Sequence, residues 1–287
     1  MAELEVVDRL GIPGIFDVHT HFLPPRVMAK VRAQFDTGGE LIGREWPLHY
    51  RDTDEALVEV LRGFGVRRFS ALPYAHKPDM AEFLNDWAAG FADRTEGALR
   101  CATFFPEHDV PSYVTKRIDA GTDVFKMHVQ VGAFDVRDPL LDGAWGLVED
   151  AATPVVLHAG SGPVGTEFTG PGPVAELLER HPRLTLVIAH MGAPEYAEFH
   201  ALLDRYPRVH LDTTMAFTDF FEGMGAPYPR DLLPRLRDAG DRVLFGSDFP
   251  NIPYPYTHQV ESLERLDLGD DWMRGVLWGN ATRLFGE

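Results

Sequence analysis

Two histidines near the N-terminus have a spacing that suits a metal site. In the stretch Gly14-Ile15-Phe16-Asp17-Val18-His19-Thr20-His21, chain-breaking glycines are followed by a β-branched and aromatic run, which predicts a short strand. Side chains two residues apart in a strand point to the same side, so Asp17, His19 and His21 should share one face. Two imidazoles on one rigid strand would supply half of the ligands of a metal ion. The alternative at this point is a pair of buried structural histidines.

Eight strand-like segments, most of them followed by a helix-like segment, account for most of the chain. After the run that begins at Ile15, the predicted strands lie at about 68–73, 99–105, 123–129, 154–158, 184–190, 209–212 and 242–248. Many of them are continuous apolar runs, which is typical of parallel strands that are covered by helices. Eight such units in 287 residues predict an α/β protein with the (β/α)8 TIM-barrel fold. A doubly wound open sheet is the alternative, but no glycine fingerprint of the nucleotide-binding type follows any predicted strand.

The chain is predicted to form a single domain over residues 1–287, because no linker or shift in composition interrupts it. One segment, at about 22–50, is too long to be a plain connection and contains several prolines and glycines. Long segments of this kind in compact domains usually act in binding. We therefore expect residues 22–50 to be a lid-like insertion.

Polar side chains end several of the later predicted strands. Lys126 and His128 end the fourth strand, His158 the fifth, His190 the sixth and Asp248 the eighth. The active sites of (β/α)8 barrels lie at the C-terminal ends of their strands, so these groups should surround one site. His19, His21 and His158 with the carboxylate of Asp248 form a donor set that suits a divalent ion. Asp17 could orient one of the ligand histidines.

The composition excludes several classes of function. The chain has 27 basic and 44 acidic residues, a net charge of −17, with the acids scattered. A nucleic-acid partner would need a basic face, and none is visible. The single cysteine, Cys101, excludes an intramolecular disulfide, fits a reducing compartment and lies in an apolar run that predicts burial. Because no apolar span of membrane length occurs and the first residues are acidic, unlike a signal peptide, we expect a cytoplasmic protein without membrane association.

Two further groups of residues bear on binding. Aromatic side chains that follow the seventh and eighth strands are predicted either to line an apolar substrate pocket or to form an oligomer contact, and the sequence leaves a homo-oligomer open. They are Phe217, Phe220, Phe221, Tyr228, Tyr254 and Tyr256, with Met224 among them. The remaining histidines near helices and turns are predicted to lie at the surface; these are His76, His108, His181, His200, His210 and His258.

Taken together, these motifs resemble the amidohydrolase superfamily. The similarity is to the amidohydrolase-2-type metal-dependent hydrolases, which also include aminocarboxymuconate-semialdehyde decarboxylase. The matching segments are Asp17-Val18-His19-Thr20-His21, Phe125-Lys126-Met127-His128, Val156-Leu157-His158-Ala159-Gly160, Ala189-His190-Met191-Gly192, Gly246-Ser247-Asp248-Phe249-Pro250 and Gly279-Asn280-Ala281-Thr282-Arg283-Leu284-Phe285. The resemblance implies that His19 and His21 bind a metal ion and that His158 and Asp248 complete its coordination. It also implies that His190 polarises or protonates the substrate.

Lys126 and His128 have two interpretations each. Other branches of the superfamily carry a carboxylated lysine on the fourth strand that bridges two metal ions, whereas a single ion is the commoner arrangement in this branch. A buried lysine needs a negatively charged partner, so Lys126 is expected to face a carboxylate or a substrate anion in preference to being carboxylated. His128 either contacts the substrate or a second metal, or is a histidine that supports the site from outside it or belongs to the core.

The expected activity is hydrolysis by a metal-activated water of a small amide, ester or lactone, which could itself carry a carboxylate. The expected cofactor is one divalent ion per chain, Zn²⁺ first and Mn²⁺ second. Asp248 would move the proton of the water and His190 would polarise the carbonyl. The alternative is a metal-dependent, non-oxidative decarboxylase of an aromatic or unsaturated carboxylic acid. A barrel that binds a ligand without turnover is the non-enzymatic alternative.

Overall fold

The computed structural model describes residues 5–38 and 44–286. Its strands are β1 (Ile15–Asp17), β2 (Val66–Phe69), β3 (Cys101–Thr103), β4 (Val124–His128), β5 (Val155–His158), β6 (Leu186–Ile188), β7 (Val209–Asp212) and β8 (Val243–Leu244). Its α-helices are α1 (Glu5–Leu10), α2 (Pro25–Thr37), α3 (Asp54–Gly63), α4 (Ala81–Arg94), α5 (Val110–Asp119), α6 (Val129–Gly132), α7 (Asp142–Ala151), α8 (Pro171–Arg180), α9 (Tyr196–Arg205), α10 (Asp219–Glu222), α11 (Leu233–Asp238), α12 (Thr257–Glu264), α13 (Asp270–Arg274) and α14 (Asn280–Phe285). A π-helical turn, Gly275–Gly279, joins α13 to α14.

Each predicted strand is present, but most are shorter than predicted. The first ends at Asp17, so His19 and His21 lie in the irregular segment after the strand and not on it. Side chains there replace part of the strand ladder as acceptors of backbone N–H groups. The N–H of Thr20, for example, donates to Oγ of Ser70 at 3.0 Å. The prediction of one continuous strand through both histidines is therefore wrong.

The structure consists of two compact units, of which the first combines Met1–Ser70 with Asp212–Glu287. In this unit β1 pairs with β2 in parallel. The segment after β1 lies beside the segment after β8, since the N–H of Val18 donates to the carbonyl of Phe245 at 2.9 Å. The ends of β7 and β8 are linked in the same way, from Thr213 N–H to the Leu244 carbonyl at 3.0 Å.

The second unit, Ala71–Leu211, contains the strands β3 to β7 side by side in chain order. Neighbouring strands are parallel, and the register places Lys126 beside Thr103 on one side and Val156 on the other. All residues of β5 and β6 are buried. The continuous apolar runs of the sequence thus correspond to strands covered on both faces, as predicted.

The predicted insertion at 22–50 contains α2, and its residues 39–43 lie outside the described residues. Its last part contacts the loop after β8 within the first unit. Nε1–H of Trp46 donates to the carbonyl of Asn251 at 2.8 Å, and the N–H of His49 donates to that of Ile252 at 3.0 Å. The role of residues 22–50 as a lid remains a prediction, and so does the organisation of residues 1–287 as one domain.

Some smaller predictions can be checked directly. Cys101 is buried, as expected. His200, expected at the surface, is fully buried, because it shares the inward stripe of α9 with Tyr196 and Leu203. Among the described residues, no helix is long and apolar enough to cross a membrane.

Candidate active site

Three of the predicted metal ligands lie together in the first unit. Nε2 of His21 is 3.0 Å from Oδ1 of Asp248, and Nε2 of His19 is 3.6 Å from the same oxygen. The two imidazole rings are arranged edge to face, with their centroids 5.1 Å apart. The side chains are 1%, 6% and 14% exposed for His19, His21 and Asp248, so water screens this group of donors weakly.

The other ring nitrogen of His19 is held by a second carboxylate. Its Nδ1 lies 2.8 Å from Oδ2 of Asp212, and both side chains are buried. An ionised carboxylate only accepts hydrogen bonds, so it places the imidazole proton on Nδ1 and leaves a lone pair on Nε2. That lone pair faces the carboxylate of Asp248, and two electron-rich atoms repel each other unless positive charge lies between them. The donor set therefore fits a divalent cation with nitrogen and oxygen ligands.

Asp17 supports the backbone of this group and not an imidazole ring. Its carboxylate accepts the N–H of His19 at 3.1 Å, the N–H of Ser247 at 3.2 Å, Oγ–H of Ser247 at 2.5 Å and the phenol of Tyr256 at 2.9 Å. Burial raises the pKa of Asp17 to about 7, against the opposing effect of these donors. The expectation that Asp17 orients a ligand histidine applies instead to Asp212. Tyr256, expected on a pocket wall or an interface, belongs to this network, and burial raises the pKa of its phenol, which keeps it a donor.

The loop that carries Asp248 has an unusual backbone. Asp248 is in the left-handed region, with φ 73°, and its N–H donates to the carbonyl of His19 at 2.8 Å. At the preceding Gly246, an added Cβ would collide with Thr214 and would lie 2.8 Å from Cβ of His19. Only glycine allows the end of β8 to approach His19 this closely. Strained conformations of this kind are typical of functional sites.

The second unit brings three of the other predicted residues together. The rings of His128 and His158 stack, with centroids 4.0 Å apart and an angle of 13° between their planes, and His158 contacts His190 edge to face at 4.6 Å. Nε2–H of His158 donates to the carbonyl of Gly162 at 3.2 Å, which leaves the lone pair of His158 on Nδ1. Lys126 is completely buried on β4, one pleat deeper than His128.

His190 also has a strained backbone. It follows β6 with φ 55° and ψ 32°, and Met191 and Gly192 continue in the left-handed region. A histidine in this conformation is uncommon, and two consecutive non-glycine residues there are more so. The conformation turns the chain sharply at the strand end, where the sequence predicts a functional histidine.

Sequence reasoning gave no role to Asp212 or Ser247 and did not connect Tyr256 with Asp17. Asp212 is the last residue of β7, so the search of strand ends that found His158 and His190 would also have found it. Ser247 lies inside the Gly-Ser-Asp motif but was not assigned a role. Tyr256 lies eight residues beyond Asp248, and no spacing rule connects it to Asp17.

Comparison with known proteins identifies related sequences and structures. The sequence model of the amidohydrolase family (Amidohydro_2) matches residues 16–286. No curated protein matches the chain. Among solved structures, an uncharacterized TIM-barrel protein from Bordetella bronchiseptica is similar with a TM-score of 0.75 at 20% identity, over 94% of this chain and 98% of that one.

Of the similar structures that carry named activities, two bear most directly on the chemistry. The 5-carboxyvanillate decarboxylase of Novosphingobium aromaticivorans, in complex with manganese and 4-hydroxy-3-methoxy-5-nitrobenzoic acid, has a TM-score of 0.64 at 14% identity, over 96% of this chain and 97% of that one. A probable 2-pyrone-4,6-dicarboxylic acid hydrolase from Acinetobacter baumannii, with citric acid bound, has a TM-score of 0.61 at 14% identity, over 96% of this chain and 100% of that one. At these identities the likeness establishes the fold, and the predicted (β/α)8 barrel is confirmed.

Proposed function

This chain belongs to the amidohydrolase family, and from that premise we propose that it is a metal-dependent hydrolase of a small amide, ester or lactone. The observation that carries the proposal is the buried group in which Nε2 of His19 and Nε2 of His21 converge on Oδ1 of Asp248. Such a group is costly to bury without a cation and has the donor types that zinc and manganese select.

The proposed ligands are His19, His21, His158 and Asp248, holding one ion per chain, Zn²⁺ in the first place and Mn²⁺ as the alternative. His158 is included because it ends β5, and the (β/α)8 fold carries its functional groups at strand ends. Its Nδ1 lone pair makes it a competent donor. When bound, a divalent ion would supply Lewis acidity, which lowers the pKa of water and polarises a carbonyl.

Asp248 is the proposed proton carrier. Its carboxylate would accept a proton from the attacking water and return it to the leaving group. His190 would donate a hydrogen bond from its ring to the scissile carbonyl and so stabilise the negative charge that develops on that oxygen. The left-handed backbone at both residues supports these assignments, since such strain persists where function requires it.

Lys126 and His128 are proposed to receive a carboxylate of the substrate. Lys126 is fully buried, and a buried ammonium is stable only beside negative charge. The alternative is a carboxylated Lys126 that bridges a second ion. Loading the protein with ¹³C-labelled bicarbonate and recording ¹³C spectra distinguishes the two, because only the carboxylated lysine gives a carbamate signal.

The second candidate is a non-oxidative decarboxylase on the same residues, with His190 protonating the carbon that loses carbon dioxide. This candidate is favoured by the similarity to a 5-carboxyvanillate decarboxylase. We rank hydrolysis first because the turn from His158 to Pro163 resembles the hydrolase branch more than the decarboxylase branch.

Elemental analysis of the purified protein, followed by assays with lactones, amides and aromatic carboxylates, tests the proposal. We expect about one divalent ion per chain and release of acid without carbon dioxide. Release of carbon dioxide would select the decarboxylase. Protein that binds no divalent ion and turns over none of these compounds would contradict both reactions. The control is His19→Asn, which should lose the ion and the turnover together.

A further inference from the structure

The buried carboxamide of Gln259 joins three segments of the first unit. Gln259 lies on α12 and is fully buried. The two N–H groups on its Nε2 donate to the carbonyl of Thr213 at 3.0 Å and to the carbonyl of Ala216 at 3.1 Å. Its Oε1 accepts the phenol of Tyr254 at 3.3 Å. Because carbonyl oxygens only accept hydrogen bonds, this pairing defines the orientation of the carboxamide, with its donors on the loop after β7.

The loop after β7 has a conformation that needs support from outside. Met215 and Phe217 both lie in the left-handed region, with φ 56° and 68°, which is unfavourable for bulky side chains. The N–H of Ala216 donates to the carbonyl of Thr213 at 3.0 Å and closes a turn. The carboxamide of Gln259 contacts the carbonyls at both ends of this turn, so a single side chain fixes the distance between them.

The same turn holds the carboxylate that contacts His19. Asp212 is the last residue of β7 and directly precedes Thr213. Its Oδ1 accepts the N–H of Thr214 at 3.1 Å, inside the turn, and its Oδ2 lies 2.8 Å from Nδ1 of His19. A continuous series of hydrogen bonds therefore leads from Gln259 through the turn to the imidazole of a proposed metal ligand.

We propose that Gln259 is a positioning residue: by fixing the turn after β7 it sets the carboxylate of Asp212 against Nδ1 of His19. The inference rests on the proposed function and goes beyond it, because Gln259 acts on a metal ligand through Asp212. A histidine whose carboxylate partner is displaced loses its fixed tautomer and its orientation, and both losses weaken metal binding.

A second buried carboxamide of the same unit provides a matched control. The N–H groups on Nδ2 of Asn280 donate to the carbonyls of Gly240 and Val243, both at 2.6 Å, and its Oδ1 accepts an N–H of Arg283. Asn280 thus has the bonding pattern of Gln259, but it acts before β8, whereas the proposed metal ligand of that strand follows it. Gln259→Met and Asn280→Leu remove these bonds at nearly constant shape, and both should lower the urea midpoint.

The first test measures Zn²⁺ affinity by competition with a chelator. Gln259→Met should weaken binding by about tenfold, whereas Asn280→Leu should keep the wild-type affinity despite its lower urea midpoint. Gln259→Glu, which in its neutral form can donate to one of the two carbonyls, is a milder variant and should give an intermediate loss. In the Asp212→Asn background Gln259→Met should cause little further loss, because the two residues act in series. Additive losses, or equal losses in Gln259→Met and Asn280→Leu, would overturn the proposal.

The second test uses the metal-free protein and observes the contact between His19 and Asp212 directly. A proton held on Nδ1 by a buried carboxylate should give a far-downfield proton NMR signal that exchanges slowly with water, and His19→Asn identifies this signal by its loss. Gln259→Met should shift the signal or speed its exchange, and Asn280→Leu should preserve it. Absence of the signal from the wild type, or an unchanged signal in Gln259→Met, would overturn the proposal. Failure of the proposed function is distinguishable, because it would appear as a wild type that binds no Zn²⁺ while the NMR comparison still decides the role of Gln259.

Discussion

Nδ1 of His19 lies 2.8 Å from Oδ2 of Asp212, with both side chains shielded from solvent. This contact fixes which nitrogen of His19 carries the proton and which presents a lone pair toward Asp248. It also fixes the plane of the ring, since a hydrogen bond at one nitrogen aims the other. Carboxylate–histidine pairs of this kind raise the basicity of a metal-binding imidazole and set its orientation.

Replacing Asp212 by asparagine should weaken metal binding by about 10- to 100-fold, because the amide cannot stabilise the proton on Nδ1 as a charged carboxylate does. Competition with a chelator of known affinity measures the change. The control is Asp219→Asn, which alters an exposed pair in the same unit, where Oδ1 of Asp219 lies 2.6 Å from Nε2 of His258. Equal affinities in the two variants would mean that Asp212 has no part in metal binding.

Asp248→Asn should reduce turnover by about 10²- to 10⁴-fold while the protein stays folded, because the amide cannot carry the proton of the attacking water. Asparagine tolerates the left-handed backbone of this position, where φ is 73°, so the substitution separates chemistry from strain. Steady-state kinetics and circular dichroism report the two effects. Turnover close to that of the wild type would refute the assigned role.

The sequence predicted the parts of the site that follow from spacing and strand ends. His19, His21 and Asp248 were found in this way, and the structure places Nε2 of His21 and Nε2 of His19 at 3.0 and 3.6 Å from Oδ1 of Asp248. The predicted strand through both histidines was wrong, because side-chain acceptors such as Ser70 replace part of the strand ladder there. Hydrophobic periodicity describes how residues alternate along a chain, and it contains no information on hydrogen-bond partners from other segments.

Other features could not be predicted because they depend on contacts distant in sequence. Asp17 and Tyr256 are 239 residues apart, yet their side chains are hydrogen-bonded. The start of α3 shows that even a local feature can be ambiguous in the sequence. Asp52 and Thr53 are both of residue types that cap helices, and the helix begins after Thr53, whose Oγ1 accepts the N–H of Ala56 at 3.4 Å. Both residue types are good caps, so composition cannot choose between neighbours.

His190→Asn should lower kcat while preserving the fold, because asparagine is among the residues that accept a φ of 55° but cannot serve as a general acid. His190→Ala should lose activity to a similar extent and additionally lose about 1 kcal/mol of stability relative to His190→Asn, from left-handed strain at a Cβ-bearing residue. Urea unfolding compares the two variants, and kcat and KM are measured in parallel. Retained kcat in His190→Asn would remove His190 from the mechanism.

Cys101 should be unreactive in the folded protein. Burial raises the pKa of its thiol and outweighs the opposing effect of the Ala71 N–H, which donates to its Sγ at 3.1 Å, so little thiolate is present at neutral pH. A colorimetric thiol reagent should titrate one group per chain in denaturant and react far more slowly without it. Fast reaction in native buffer would show that the strand β3, which carries Cys101, opens readily.

Removal of the metal should destabilise the protein and should do so through the buried donors of the first unit. With the ion stripped by a chelator, the lone pairs of His19 and His21 and the carboxylate of Asp248 remain buried together and repel one another. An ion present at 100 times its dissociation constant stabilises the folded state by about 2.7 kcal/mol, which corresponds to a shift in Tm of several degrees. Calorimetry of the stripped protein, before and after addition of Zn²⁺ or Mn²⁺, measures this shift and ranks the two ions. The control is His19→Asn, whose Tm should respond far less to either ion; an equal response would place metal binding elsewhere in the molecule.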